Sequence, residues 1–88
     1  MATLSLTEQE VLLVFARAEK PLTRGLVEER LKERQLVLAD EYEVYGAIDV
    51  LRWQGLLAVA GRRGNQSGSG VTYEITAGGR RRVEALGL

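Results

Sequence analysis

Two stretches decide the fold: Leu51-Arg52-Trp53-Gln54-Gly55-Leu56-Leu57 and, beyond a Gly/Ser-rich segment, Val71-Thr72-Tyr73-Glu74-Ile75-Thr76-Ala77-Gly78-Gly79-Arg80. Gly55 supplies a left-handed helix stop, and the apolar run Leu56 to Ala60 reads as a strand. Residues 61–70 hold four Gly and two Ser, a composition too flexible to pack. Val71 to Ile75 then alternates in polarity, so the two runs are expected to pair antiparallel. Thr76 is placed to cap a final helix that carries Val83, Ala85 and Leu86 as apolar contacts and ends at Gly87. The order is helix, glycine stop, strand, basic turn, strand, capped helix.

Working back toward the amino terminus, Asp40 with Glu43 three residues on forms a capping box for a helix that lasts until Gly55. At 100° per residue its core stripe is Val44, Tyr45, Ile48 and Leu51, and the other face presents Tyr42, Glu43, Gly46, Asp49, Val50 and Trp53. Gln35 to Ala39 is too short for a helix and reads as a connector or short strand. The preceding helix is capped by Thr23, with Leu26, Val27 and Leu31 as its apolar stripe and a charged, solvated face from Glu28 to Arg34. Lys20-Pro21-Leu22 separates it from a first helix, because proline cannot continue the hydrogen-bond ladder. That first helix is expected from about Thr7 to Glu19, with overlapping capping boxes Ser5/Glu8 and Thr7/Glu10 and an apolar face of Val11, Leu12, Val14, Phe15 and Ala18.

These elements assemble into a small α+β domain spanning residues 1–88. It is a winged helix-turn-helix of three helices, a two-stranded wing over about 56–75 and a C-terminal helix over about 77–86. A chain of 88 residues buries roughly 60 to 65% of its unfolded surface, which gives one thin core and favours a partner subunit. The chain contains no Cys and no His. Disulfides, thiolate chemistry, imidazole general bases and the usual zinc, copper or haem ligands are thereby excluded, and no metal or cofactor is expected. Capping accounts for Asp40 and Glu43, and no nucleophile or base constellation is present, so the function is binding and not catalysis. No apolar run approaches the roughly 20 residues of a spanning helix, and Met1-Ala2-Thr3 lacks a signal peptide's basic start. A cytoplasmic protein without membrane association is expected.

The formal net charge is zero, yet the charges are segregated. Residues 1–51 carry ten acids against six bases; residues 52–88 carry Arg52, Arg62, Arg63, Arg80, Arg81 and Arg82 against Glu74 and Glu84. A dipolar molecule of this kind suits either a local nucleic-acid surface or association between copies of itself. Arg80 to Arg82 stand at a helix amino terminus, where the backbone dipole repels cations, and an anion or acidic partner would relieve that conflict. Helix three itself is acidic, with Asp40, Glu41, Glu43 and Asp49 opposing Arg52. Trp53 and Tyr42 on its outward face either form an aromatic surface or pack under the wing or against the first helix; Tyr45 is assigned to the core.

Glu43 to Leu57 resembles the recognition helix and strand entry of PadR-like transcriptional regulators, with Tyr45, Ile48, Leu51, Gly55 and Leu56 in register. Tyr73-Glu74-Ile75-Thr76-Ala77-Gly78-Gly79-Arg80 is similar to that family's closing wing strand and Thr-x-x-Gly-Arg helix start, and Thr23 to Leu31 is more weakly similar to its second helix. The resemblance implies a homodimeric DNA-binding regulator with helix three in the major groove and the wing on adjacent phosphate. On that reading Arg62 and Arg63 of the wing are the main contacts, Arg24, Arg52 and Arg80 are secondary phosphate contacts, and Gln54 or Asn65 reaches base or sugar. The alternative is a winged-helix module that does not bind DNA and meets a protein partner through Tyr42, Glu43, Asp49, Val50 and Trp53.

Overall fold

The computed structural model describes residues 3–33, 41–62 and 70–87. Helix α1 (Leu6–Arg17) starts at a complete capping box: the Ser5 hydroxyl accepts from the Glu8 amide at 3.1 Å and the Ser5 amide donates to the Glu8 carboxylate at 3.0 Å. Thr7 lies inside the helix, so the second box is not used. The helix stops two residues earlier than expected, with Ala18 extended at φ −77° and ψ 139°. The chain must turn before Pro21 to place Leu22–Thr23, the short strand β1, against the sheet. Sequence periodicity gave α1 a single apolar face; instead Val11 through Phe15 are all buried, because α2, α3, α4 and β3 pack around it.

Helix α2 (Arg24–Glu33) begins at Thr23, whose hydroxyl accepts from the Leu26 amide at 3.2 Å. Its buried stripe is Val27 and Leu31 alone. Leu26, expected in that stripe, is exposed, since it lies one residue, or about 100°, round the helix from Val27. The connector at 35–39 and the Asp40 cap lie outside the described residues. Helix α3 (Glu41–Trp53) buries Val44, Ala47, Ile48 and Leu51 against α1 and α2, with Tyr45 half-buried at the edge.

The end of α3 is a Schellman motif. Gly55 adopts φ +78°, its amide donates to the Arg52 carbonyl at 3.0 Å, and the Leu56 amide donates to the Leu51 carbonyl at 2.9 Å. Buried Leu56 and Leu51 flank the turn on the core side. This turn aims the chain into β2 (Leu57–Arg62), which pairs antiparallel with β3 (Val71–Ile75) as the sequence predicts. The strand runs two residues beyond Ala60, because a bulge between Val59 and Gly61 lets Gly61 pair with Thr72 and Arg62 with Val71. The sheet has three strands in the order β1-β3-β2, so β3 is central and its Tyr73 is 1% exposed.

Helix α4 (Ala77–Ala85) is capped by Thr76, whose hydroxyl accepts from the Gly79 amide at 3.0 Å and donates to the Gly55 carbonyl at 2.7 Å. The cap therefore ties the start of α4 to the turn that ends α3. Gly79 sits at the closest point: a Cβ there would overlap the Leu56 carbonyl oxygen and lie 2.6 Å from Ile75 Cγ1. Val83 packs on the core, whereas Ala85 and Leu86, expected as apolar contacts, are exposed.

Candidate nucleic-acid interface

Helices α2 and α3 with the β2–β3 hairpin form one surface, and its centre is a cluster that joins all three elements. Arg24, the first residue of α2, donates from Nε to the Tyr73 hydroxyl at 3.2 Å. Its guanidinium carbon lies 5.3 Å from the Tyr45 ring centroid and 5.8 Å from that of Tyr73. The Arg52 guanidinium lies 5.5 Å from the same Tyr73 ring. Asp49 approaches Arg24 Nη2 at 4.0 Å. Tyr45, Asp49 and Arg52 follow at i, i+4 and i+7, so one stripe of α3 supplies an aromatic face, a carboxylate and a cation to the same place.

This cluster was not anticipated as a unit. Read from sequence alone, Arg24 and Arg52 are surface phosphate contacts and Asp49 belongs with Trp53 on the outward face of the helix. The signal available was Tyr73 itself: an inward tyrosine on an alternating strand needs a partner for its hydroxyl, and an arginine from elsewhere in the chain is a common answer.

Trp53 packs under neither the wing nor α1, being 92% exposed. It forms one wall of a shallow groove between the last turn of α3 and β2, lined also by Asp49, Arg52, Leu57, Ala58 and Val59. Gln54 is exposed at the end of α3, Glu43 is exposed nearer its start, and Val50 is half-buried. Arg80 stands elsewhere, in a cleft with Phe15, Glu19, Lys20, Pro21 and Glu74 at the α1–β1 corner. Helix α4 rests on α1 and β3, which gives Arg80 a mixed-charge setting there and leaves Arg81 exposed. Arg63 and Asn65 lie outside the described residues, as do the side chains of Arg62 and Tyr42. Among the described residues no group of three acidic, Cys or His side chains is placed to hold a metal ion, and no helix is long and apolar enough to cross a membrane.

No family model matches the chain, and no curated protein matches it either. Solved structures do. The chain is similar to Bacillus subtilis PadR in complex with operator DNA, at 13% identity and a TM-score of 0.79, over 99% of this chain and 49% of that one. A PadR family transcription regulator from Clostridium difficile matches at 19% identity and a TM-score of 0.71, over 90% of this chain and 82% of that one. A MarR family regulator from Neisseria meningitidis matches at 21% identity and a TM-score of 0.70, over 96% of this chain and 53% of that one. The chain spans about half the length of the first and third of these proteins. The fold is that of winged-helix transcription regulators, PadR proteins among them.

Proposed function

We propose that this chain is a DNA-binding transcriptional regulator of the PadR-like winged-helix type, which holds duplex DNA as a dimer chiefly through arginines. The observation that carries the reading is the match over 99% of the chain to PadR, a protein solved in complex with operator DNA. The helix-turn-helix presents the face between α2 and α3, and Arg24 and Arg52 stand on it beside the hairpin. On this reading Arg62 and Arg63 supply the main phosphate contacts, with Gln54 and Asn65 as further contacts to base or sugar, while Arg80, at the α1–β1 corner, could reach only a more distant phosphate. A dimer follows from the small core, the segregated charge and the apolar side chains left exposed on the terminal helices, Leu6 at 67% and Leu86 at 36%. The acidic groups of α3 lower the net attraction, so affinity is expected to come from a few arginine contacts.

The test is the R62A/R63A double substitution in a salt titration with random duplex. Binding to all sequences is expected to weaken about equally, and the salt slope to shrink by roughly two for each wing engaged. An unchanged slope would show the wing to be a connector.

One observation favours a second reading. A tryptophan 92% exposed beside an apolar groove is what a protein-facing surface offers, and with Tyr42, Glu43, Asp49 and Val50 it would form the contact of an interaction module. W53A separates the two: loss of a protein partner with no DNA binding in either form supports this reading.

A further inference from the structure

Arg24 differs from a solvated surface arginine in how it is held. Its Nε donates to the Tyr73 hydroxyl at 3.2 Å, and its guanidinium carbon lies 5.3 Å from the Tyr45 ring centroid and 5.8 Å from that of Tyr73, so the fold restricts where its terminal fork can point. Among the described residues no hydrogen bond reaches the two terminal nitrogens. Their nearest carboxylate is Asp49, at 4.0 Å, beyond hydrogen-bond length. The Asp49 side chain is 60% exposed and that of Arg24 30% exposed, so the pair stands at the rim, open to an incoming anion.

A guanidinium anchored at Nε and bordered by two tyrosine rings has already lost part of the rotamer freedom that a phosphate contact must otherwise remove, and its two terminal nitrogens can donate to two oxygens of one phosphate. We infer that Arg24 is a preorganised fork for a DNA backbone phosphate and that Asp49 is its internal competitor. In the free protein the Asp49 carboxylate screens the fork; on binding, a phosphate takes its place. The exchange is feasible because an exposed ion pair at this distance is weak, whereas each phosphate neutralised on duplex DNA releases condensed counterions. Asp49, once displaced, recruits a cation from solution, which offsets part of that release. This inference rests on the DNA-binding reading and adds to it the residue that regulates affinity.

The experiment compares wild type, D49N, R24Q and the R24Q/D49N double variant for binding to a short random-sequence duplex, by fluorescence anisotropy across a salt series, with folding checked by circular dichroism. D49N is expected to bind about threefold more tightly, in line with the weight of an exposed ion pair, and to steepen the salt slope by up to about one. R24Q is expected to weaken binding and flatten the slope by about one, and in that background D49N should gain almost nothing. An equal gain from D49N in both backgrounds would overturn the inference, since Asp49 would then act as a general repulsive charge. Should R24Q unfold, R24M replaces it: the apolar stem beside the tyrosine rings is kept while the charge and its fork go, and the D49N gain should again collapse. If neither wild type nor D49N binds duplex at low salt, the DNA reading fails, and the fork is judged alone with inorganic pyrophosphate on the Arg24 Nε–H nuclear magnetic resonance signal. A shift larger in D49N than in wild type supports the site; no shift in either overturns it.

Discussion

The Nε of Arg24 and the hydroxyl of Tyr73 lie 3.2 Å apart across 49 residues of sequence, which fastens the first turn of α2 to the central strand of the sheet. Tyr73 is buried while Arg24 is half-buried, so the bond lets a polar hydroxyl sit in the core without an unmet hydrogen-bonding group. Y73F keeps the ring and removes only this bond. It is expected to lower unfolding free energy by about 1 to 1.5 kcal/mol, read as a shift in urea midpoint at constant slope. An unshifted midpoint would mean that the hydroxyl and guanidinium do not meet in solution.

Gly79 is the tightest backbone contact between α4 and the rest of the fold. A methyl there would overlap the Leu56 carbonyl and crowd Ile75 Cγ1 at 2.6 Å, and neither neighbour is the flexible end of a long side chain. G79A is therefore expected to destabilise by about 2 to 3 kcal/mol, despite alanine's better helix propensity. The adjacent Gly78, with no atom closer than 3.5 Å to its added Cβ, serves as the control: G78A should be neutral or mildly stabilising in the same thermal melt.

The two overlapping capping boxes at the start of α1 predict different costs. Ser5 caps and Thr7 does not, so S5A should cost about 1 kcal/mol and T7A a few tenths at most. Equal losses from the two would show that the helix frays between alternative starts.

Elements marked by local chemistry were legible. The glycine stop at Gly55, the Thr23 and Thr76 caps and the pairing of the two wing strands follow from residue type and short-range hydrogen bonds, and the structure repeats them. Features that depend on distant partners were not. Strand β1 is two residues long and exists only because Leu22 and Thr23 meet Tyr73 and Thr72. Leu26 reads as core in an apolar trio, but only the Val27–Leu31 line faces a neighbour. The Arg24 cluster draws on three elements, and a list of surface cations carries no trace of it. For the candidate site, sequence identified the cations and the acids but not their pairing, since charge type is local and pairing is tertiary.

Trp53 is the chain's single tryptophan, so its surroundings can be read directly from intrinsic fluorescence. At 92% exposed it should emit at the long wavelength of a water-exposed indole, and W53A should change stability by less than about 0.5 kcal/mol. A blue shift of the emission with rising protein concentration would identify this face as the contact between copies. A blue-shifted spectrum even at high dilution would contradict the exposed placement.

The central claim, a winged helix that binds duplex DNA through oriented arginines, is tested most directly by fluorescence anisotropy of the wild-type protein with a random duplex, at low and then physiological salt. Non-specific binding is expected at low salt, falling linearly in log affinity against log salt concentration with a slope that counts the phosphates engaged. Absence of binding at low salt, where an electrostatic contact is strongest, would contradict the account.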